Sequence, residues 1–314
     1  MKTPLALAYL VFDVDAPPAW RAFCNEVLGL PEPVSNPDGS VGWRLDNAAQ
    51  RLIVQHGSSD DVAALGFECA DDDALGALVL RLQARGQEVV EADAALRRAR
   101  RVRRLHVLRD PDGNRVELCA GLERADGTFE SAAFPHGFCI GELGLGHAVL
   151  VSSQLERLGS FYVEELGFGV TERLHTRVGP MPVNGLFLHC NRRHHSLAIF
   201  DLPLAKRMHH FMLQVPGIAD VGVAYERARR HKVPMSLDLG QHPAPEETFS
   251  FYGSTPSGFD FELGANSREI DPGAWQVQRS ATTSSWGHRP TLRLQLKMAG
   301  GFLRRKLGMR PAFA

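Results

Sequence analysis

The sequence predicts an α+β fold built from four copies of one module, in which a strand is followed by a helix and then by further strands. Two internal repeats support this prediction, since self-similarity at a fixed offset indicates repeated structural units. The strand around Tyr9 recurs 138 residues later around His147, and the turn and strand that end near Glu117 recur 145 residues later near Glu262. We therefore expect modules at about residues 5–55, 62–121, 141–200 and 207–265.

The elements of each module follow from local patterns. An apolar strand opens every module, and in modules one and three a short amphipathic helix follows and ends at Gly29 or Gly167. Modules two and four carry helices predicted over 73–85 and 218–231. The last strand follows the turn Thr-Pro-Ser-Gly at 255–258, and its alternation places Asp260 and Glu262 on one face.

Composition limits the class of protein. At 314 residues, with 44% hydrophobic and 23% charged residues, the chain is typical of a soluble globular protein of about two domains. The formal charge of -1 argues against nucleic acid as a general partner. No apolar run reaches the ~18 residues of a membrane span and no signal-peptide pattern is present, so we expect no membrane span and a cytoplasmic location. The five scattered cysteines indicate free thiols.

The repeats also predict domain boundaries. The first pair of modules is assigned to residues 1–122, the second pair to 137–290 and a basic tail to 291–314, with a polar linker between the pairs. We interpret the six arginines between 97 and 104 as a solvated loop. The tail is interpreted as a loosely ordered appendage, with packing on a neighbouring subunit or on a surface as alternatives.

Three candidate metal ligands occupy repeat-equivalent strand positions. Only two of the thirteen histidines precede residue 135, so imidazole chemistry belongs to the second half. That half has a histidine, a histidine and a glutamate where the first half has Tyr9, Ala64 and Glu117; the three are His147, His210 and Glu262. Two imidazoles and one carboxylate form the facial triad suited to non-haem Fe(II), and the same ligands also suit Mn(II).

The neighbour His209 is the alternative to His210 as a ligand. Adjacent residues on a strand face opposite ways, so only one of the two is expected to point inward. The repeat register favours His210.

Further acid-base groups accompany the predicted triad. His195 or His194 precedes an apolar strand and either one could face the same cavity, and His242 and Tyr252 follow later in the chain. A neutral imidazole beside a metal accepts a proton from a bound hydroxyl, and a phenol hydrogen-bonds a developing oxyanion. A structural role remains an alternative for each of them.

These residues carry a resemblance to a known family. The run Phe-Leu-His-Cys-Asn-Arg-Arg-His-His-Ser-Leu-Ala at 187–198, the segment from 250 to 264, and Trp-Gly-His at 286–288 resemble the two-domain type I extradiol ring-cleaving dioxygenases. These are the biphenyl-2,3-diol 1,2-dioxygenase branch of the vicinal oxygen chelate superfamily. The similarity covers roughly residues 5 to 290 and is most specific in the second half.

The resemblance implies a fold, a reaction and a set of site residues. The four βαβββ modules would pair into two open barrels, with Fe(II) in the C-terminal barrel. The implied reaction is extradiol (meta) cleavage of a substituted or bicyclic catechol by dioxygen in aromatic compound degradation, by a homo-oligomeric enzyme. Metal ligands would be His147, His210 and Glu262, with catalytic and substrate-contacting roles for His195, His242 and Tyr252, and substrate contacts from Phe187 and Val149.

One departure from the family pattern concerns the substrate. Family members usually follow the histidine at 242 with Ser or Thr and then Asn-Asp, whereas this chain has Pro243-Ala244-Pro245. Two prolines stiffen the loop and Ala244 removes an amide side chain, so the departure puts the choice of substrate in doubt.

Two other functions are compatible with the modules. A glyoxalase-type metal-dependent lyase or isomerase shares them but generally spreads four ligands over both modules. A non-catalytic ligand-binding protein of the same fold would not need the intact His-His-Glu set.

The first half is expected to hold no metal, because a lone carboxylate does not compete with three ligands for Fe(II). Glu117 then requires a cation or backbone donors, with Arg109 and Arg115 as candidates, since a buried unpaired carboxylate is costly.

Overall fold

The structure, a computed structural model, describes residues 4–178 and 181–307. Within these residues the strands form one eight-stranded and one ten-stranded sheet, and each sheet contains two modules. In each sheet the opening strands of its two modules are neighbours at the centre, and the later strands of each module lie outward from them. The four predicted βαβββ modules and the α+β class are confirmed.

The first half contains two modules. Module one comprises β1 (Leu5–Val14), α1 (Pro17–Ala22, continued as a π-helical turn over Phe23–Val27), β2 (Val34–Ser35), β3 (Val41–Trp43) and β4 (Leu52–His56). Module two comprises β5 (Asp61–Cys69), α2 (Asp72–Ala84), β6 (Val90–Glu91), α3 (Ala94–Arg100), β7 (Val102–Arg109) and β8 (Arg115–Leu122).

The second half repeats this order after a short 3-10 helix at Gly141–Leu143. Module three comprises β9 (His147–Val151), α4 (Leu155–Ser160, continued as a π-helical turn over Phe161–Glu165), β10 (Gly169–Val178), β11 (Met181–His189) and β12 (Leu197–Phe200). Module four comprises β13 (Met208–Gln214), α5 (Ile218–Arg230), β14 (Met235–Gln241), β15 (Phe249–Ser254) and β16 (Asp260–Ala265). The remaining elements are β17 (Gln278–Ser280), β18 (Trp286–Gly287) and α6 (Leu292–Lys306).

The two halves share one hydrophobic core. The ring of Phe12 in module one lies 5.4 Å from Phe211 and 5.2 Å from Phe259 in module four. Modules two and three meet in the same way, because the rings of Phe67 and Phe168 cross edge to face at 5.4 Å. Such aromatic pairs stabilise their surroundings beyond the area that they bury, so these contacts hold modules of the two halves together.

Strand pairing confirms the repeat register. Tyr9 pairs across β1 and β5 with Gly66, which pairs in turn with Glu117 on β8. In the second half His147 pairs with Met212, which pairs with Glu262. The residues aligned by sequence therefore occupy the same places in the two sheets.

The interior of the first half is filled by its own side chains. Tyr9, the counterpart of His147, donates a hydrogen bond from its hydroxyl to Oε2 of Glu117 over 2.7 Å. Its ring lies across Gly66, where any Cβ would stand only 2.4 Å from a ring carbon, so this position requires glycine. A phenol thus fills the space that the imidazole of His147 and the adjoining cavity occupy in the other half.

Glu117 is fully buried and is neutralised by arginines. Of the two candidate counter-charges, Arg115 contacts the carboxylate, because its Nε lies 2.9 Å from Oε1. Arg109 instead donates a hydrogen bond to the carbonyl of Gly113. A second ion pair joins Nε of Arg100 to Oε2 over 3.0 Å. The interpretation of residues 97–104 as a solvated loop is therefore wrong, because this segment forms α3 and β7 and Arg100 is only 3% exposed.

The tail also differs from expectation. Residues 292–306 form α6, which packs on its own chain through the buried ring of Phe302, and residues 308–314 lie outside the described residues. The helix is stable here because Thr291 caps its N-terminus and one apolar face meets the second half. In the described part of the chain, no helix has the length and apolar character needed to cross a bilayer.

The substitution Glu117→Gln is predicted to lower the free energy of unfolding by about 3–5 kcal/mol, because it leaves two arginines beside a neutral amide in a buried site. Chemical denaturation measures this loss, and Tyr9→Phe, which removes only one hydrogen bond, should cost less. Metal content of the folded Glu117→Gln protein should equal that of the wild type, and loss of metal would show that the first half also binds an ion.

Candidate metal centre

Three adjacent strands bring the predicted ligands together. β13 lies between β9 and β16, so His210 on β13 is flanked by His147 at the start of β9 and by Glu262 on β16. Met212 pairs with both His147 and Glu262, so these two candidate ligands lie at the same height in the sheet. His210 lies two residues before Met212 on the strand between them. The three side chains are buried, and their ligand atoms form a group that could hold a metal ion.

The distances within this group fit a shared ion. Nε2 of His147 lies 3.1 Å from Nε2 of His210 and 3.1 Å from Oε2 of Glu262, and Nε2 of His210 lies 3.3 Å from the same oxygen. Three atoms about 2.1 Å from one ion are roughly 3.0 to 3.4 Å apart in octahedral or tetrahedral geometry. The triangle therefore has the size that a bound metal requires.

The carboxylate of Glu262 supports the same conclusion. Both of its oxygens are buried, and neither has a hydrogen bond of acceptable geometry, although three imidazoles surround them. A buried carboxylate left in this state is strongly unfavourable. A cation between the three side chains removes the penalty, so the donor set fits a divalent metal.

A β-bulge changes the expectation for His209. The pairing of β13 with β9 shifts between Met208 and His210, so His209 lies outside the regular alternation. Its Nδ1 lies 2.6 Å from Nδ1 of His210, and it lines the same cavity. The expectation that only one of the pair points inward is therefore wrong, although His209 is not a member of the three-ligand group.

The start of β13 is held by the first half. Asp61 on β5 accepts hydrogen bonds from the backbone amides of Arg207, over 2.6 Å, and Met208, over 3.1 Å. These two residues immediately precede the bulge and His210. The first half thus fixes the strand that carries one of the candidate ligands.

His195 stands directly beside the ligand group. Its ring lies 4.0 Å from that of His147 and meets the edge of Phe187 at 4.9 Å, and it lines the cavity whereas His194 does not. Nδ1 of His195 lies 3.1 Å from Nδ1 of His194. Burial, reinforced by the imidazoles of His147 and His194, lowers the pKa of His195 well below its usual range, so the ring is neutral.

The sequence analysis did not predict Glu246 and Glu172 as residues of the site. Oε1 of Glu246 lies 4.0 Å from Nδ1 of His195, and Glu172 lies 3.6 Å from His194. Burial raises the pKa of Glu246 to about 7. His194, His195 and Glu246 form a second group of potential ligands, but a histidine–histidine hydrogen bond and a bond from Thr248 to Glu246 already engage them. The signal for Glu246 was its position directly after the unusual Pro-Ala-Pro loop.

His242 and Tyr252 form a hydrogen-bonded pair on the other side of Glu262. Nδ1 of His242 lies 2.6 Å from the carbonyl oxygen of Thr283, which accepts its proton, and Nε2 lies 2.9 Å from the hydroxyl of Tyr252. Burial opposes the charged form of His242, but the carboxylates of Glu246 and Glu262 outweigh it and raise the pKa to about 9. The pair therefore offers an imidazole and a phenol to an oxygen in the cavity.

The three candidate ligands line one cavity of about 690 Å³, together with His195, His209, His242, Tyr252, Glu172 and Glu246. Its wall includes Val149 and Phe187, as expected, and also residues of α6 that were not expected, among them Leu294, Met298 and Phe302. A larger groove of about 840 Å³ lies between the halves, but it contains none of the three candidate ligands. The ligand residues in the cavity, rather than the cavity volume, therefore identify the site.

Comparisons with known proteins agree with this geometry. A family model described as the Glyoxalase/Bleomycin resistance protein/Dioxygenase superfamily matches residues 144–263, and one described as Dihydroxybiphenyl dioxygenase BphC D1 matches residues 7–57. The chain is 39% identical over 286 residues to a biphenyl-2,3-diol 1,2-dioxygenase of Paraburkholderia xenovorans, with 90% of this chain and 95% of the relative covered. It is 34% identical over 290 residues to an iron-dependent extradiol dioxygenase of Rhodococcus jostii, with 90% and 96% covered.

A solved structure gives the same result. The crystal structure of BphC, a halotolerant catechol dioxygenase, matches with a TM-score of 0.84 and 33% identity, and covers 94% of this chain and 97% of that one. Together with the intact ligand group, these relatives favour a metal-dependent enzyme over a non-catalytic binding protein. The chain belongs to the extradiol ring-cleaving dioxygenases of the vicinal oxygen chelate superfamily.

Proposed function

We propose that the substrate is a bicyclic or apolar-substituted catechol, such as 2,3-dihydroxybiphenyl, and that the cofactor is Fe(II) held by His147, His210 and Glu262. The observation that carries the proposal is the buried triangle of two imidazole nitrogens and one carboxylate oxygen with sides of 3.1 to 3.3 Å. It opens into an apolar-walled cavity of about 690 Å³, a size suited to a substrate with two rings.

The metal would supply a site at which both catechol oxygens and dioxygen are held together and electrons pass between them. The work of the protein is to orient the catechol and to manage its protons. His195 is neutral and buried beside His147, so it can accept a proton from a catechol hydroxyl that enters the cavity. Its Nδ1 faces His194, which leaves Nε2 as the proton acceptor.

His242 and Tyr252 act on the substrate oxygens. The bond from Nδ1 of His242 to the carbonyl of Thr283 fixes the ring, so that Nε2 and the Tyr252 hydroxyl are presented together. Donors fixed in a water-poor cavity stabilise negative charge that develops on an oxygen. Phe187 and Val149 complete the site as apolar walls for the ring.

Iron is proposed rather than manganese because one relative at 34% identity is described as iron-dependent. The donor set itself suits both metals. Elemental analysis of protein purified without oxygen distinguishes them, and about one iron per chain supports the proposal.

The experiment that tests the function mixes anaerobically purified, iron-loaded protein with 2,3-dihydroxybiphenyl and then admits air. A yellow ring-opened product, formed with consumption of one dioxygen per catechol, is the expected result. Absence of product with this substrate and with simpler catechols would contradict the proposed reaction.

The ligand assignment predicts different outcomes for two neighbouring histidines. His210→Ala, like His147→Ala or Glu262→Ala, should lose bound metal and turnover, because two remaining ligands hold Fe(II) weakly. His209→Ala should keep nearly all of its metal. Elemental analysis of the four variants is the measurement, and retention of iron in His210→Ala with its loss in His209→Ala would reverse the assignment.

The role of His195 predicts a loss of rate without a loss of metal. His195→Gln should retain iron and bind the catechol anaerobically, yet turn over at least ~10²-fold more slowly, the usual scale of general acid-base assistance. Turnover equal to that of the wild type would remove His195 from the mechanism.

The remaining assignments concern the whole chain. We propose a scaffold pair of modules over 1–122, a catalytic pair over 137–290, a cytoplasmic location and a homo-oligomer. The five cysteines are free, which is typical of a reducing compartment. Size-exclusion chromatography with light scattering measures the oligomeric state.

A further inference from the structure

Helix α6 forms one wall of the cavity that contains the candidate metal ligands. Five of its residues line that cavity, and their spacing places them on a single helical face: Leu294, Gln295, Met298, Ala299 and Phe302. Four of the five are apolar, and Phe302 is only 8% exposed. The same cavity contains His147, His210 and Glu262, so α6 and the candidate ligands share one cavity.

The helix is fixed at several points along its length. At its start the hydroxyl of Thr291 donates to the carbonyl of Met235 over 2.9 Å, and its backbone amide donates to Ser236 over 3.0 Å. In the middle Nζ of Lys297 donates to the carbonyl of Gly258 over 2.9 Å. These bonds tie α6 to β14 and to the turn that precedes β16, the strand of Glu262.

The far end of α6 is held as closely. Two guanidinium nitrogens of Arg305 lie 2.7 and 3.3 Å from the carboxylate oxygens of Asp201. Gly301 lies so close to the carbonyl oxygen of Pro203 that a Cβ at this position would collide with it. Met298 packs on a small apolar cluster that includes Val183 and Leu202.

The cavity therefore has two kinds of wall. Around the ligand group the wall is polar and titratable, with His195, His242 and Tyr252, whereas the wall formed by α6 and its neighbours is apolar. A catechol with its two hydroxyls at the ligand group directs the rest of its ring away from those polar side chains. Burial of apolar substituent surface there favours binding.

We propose that α6 forms a binding subsite for an apolar substituent on the catechol ring, with Leu294, Met298 and Phe302 as its contact residues. The subsite deepens the proposed function and rests on it. It makes the enzyme prefer aryl- or alkyl-substituted catechols to unsubstituted catechol, because only a substituent adds apolar surface for α6 to bury.

The test compares two substitutions on opposite faces of the same helix. Met298→Glu places a carboxylate in the subsite, whereas the matched control Leu296→Glu places one on the outer face, where Leu296 is 65% exposed. We expect Met298→Glu to raise KM for 2,3-dihydroxybiphenyl about tenfold or more relative to KM for catechol, a range typical of apolar pocket contacts. Leu296→Glu should leave that ratio unchanged, and both variants should keep their metal.

A second variant covers the case in which Met298→Glu releases the helix. Ala299→Phe fills the subsite without removing any existing packing, and it should weaken anaerobic binding of 2,3-dihydroxybiphenyl, measured by calorimetry under nitrogen, while binding of catechol stays the same. An unchanged preference in both Met298→Glu and Ala299→Phe overturns the subsite. A wild-type protein that cleaves neither catechol overturns the proposed function instead, so the two failures are distinguishable.

Discussion

The buried carboxylate of Glu262 is the constraint on which the second half of this protein depends. A charged side chain that is only 1% exposed is tolerated only beside a compensating charge, and here the neighbours are imidazoles rather than arginines. β13 lies between the strands of His147 and Glu262, and Met212 pairs with both of these residues. This pairing, and the position of His242 beside Glu262, surround the carboxylate with imidazoles. A divalent metal resolves the burial, and at the same time it supplies the reactivity of the family.

The first half compensates an equivalent buried carboxylate with its own side chains. Glu117 occupies the place of Glu262 in an equivalent sheet, but Arg100 and Arg115 neutralise it and Tyr9 donates the remaining hydrogen bond. These side chains fill the interior of the first half, at the place where the second half has a cavity. A structural carboxylate and a reactive one therefore differ mainly in whether their counter-charge leaves space for a ligand.

Much of this architecture could be predicted from the sequence, because repeated modules repeat their strand register. Two repeat offsets, 138 residues from Tyr9 to His147 and 145 from Glu117 to Glu262, with Ala64 and His210 at 146, aligned the three candidate ligands on three strands. The bulge at His209 could not be predicted in this way, since strict alternation assumes a regular strand. β5 has an equivalent register shift beside Ala63, but the small side chain of Ala63 gives no sign of the bulge in the sequence.

Two other features were missed for physical reasons. Glu246 follows two prolines in a loop whose path no periodic pattern describes, so its approach to His195 became visible only in three dimensions. The apolar positions of α6 recur at helical spacing, but Gly300 and Gly301 weaken the helical propensity of the segment. Tertiary packing overrides that weakness, because Gly301 allows the close approach to Pro203 that a larger residue would prevent.

The hydrogen bonds from Arg207 and Met208 to Asp61 bear on how such enzymes can be recombined. Asp61 belongs to the half without the candidate metal ligands, yet it holds the backbone two residues before His210. The halves are consequently not interchangeable parts. A chimera that joins the second half of this chain to the first half of another dioxygenase therefore needs a carboxylate at the position of Asp61. Without it, the start of β13, the strand of His210, loses two hydrogen bonds.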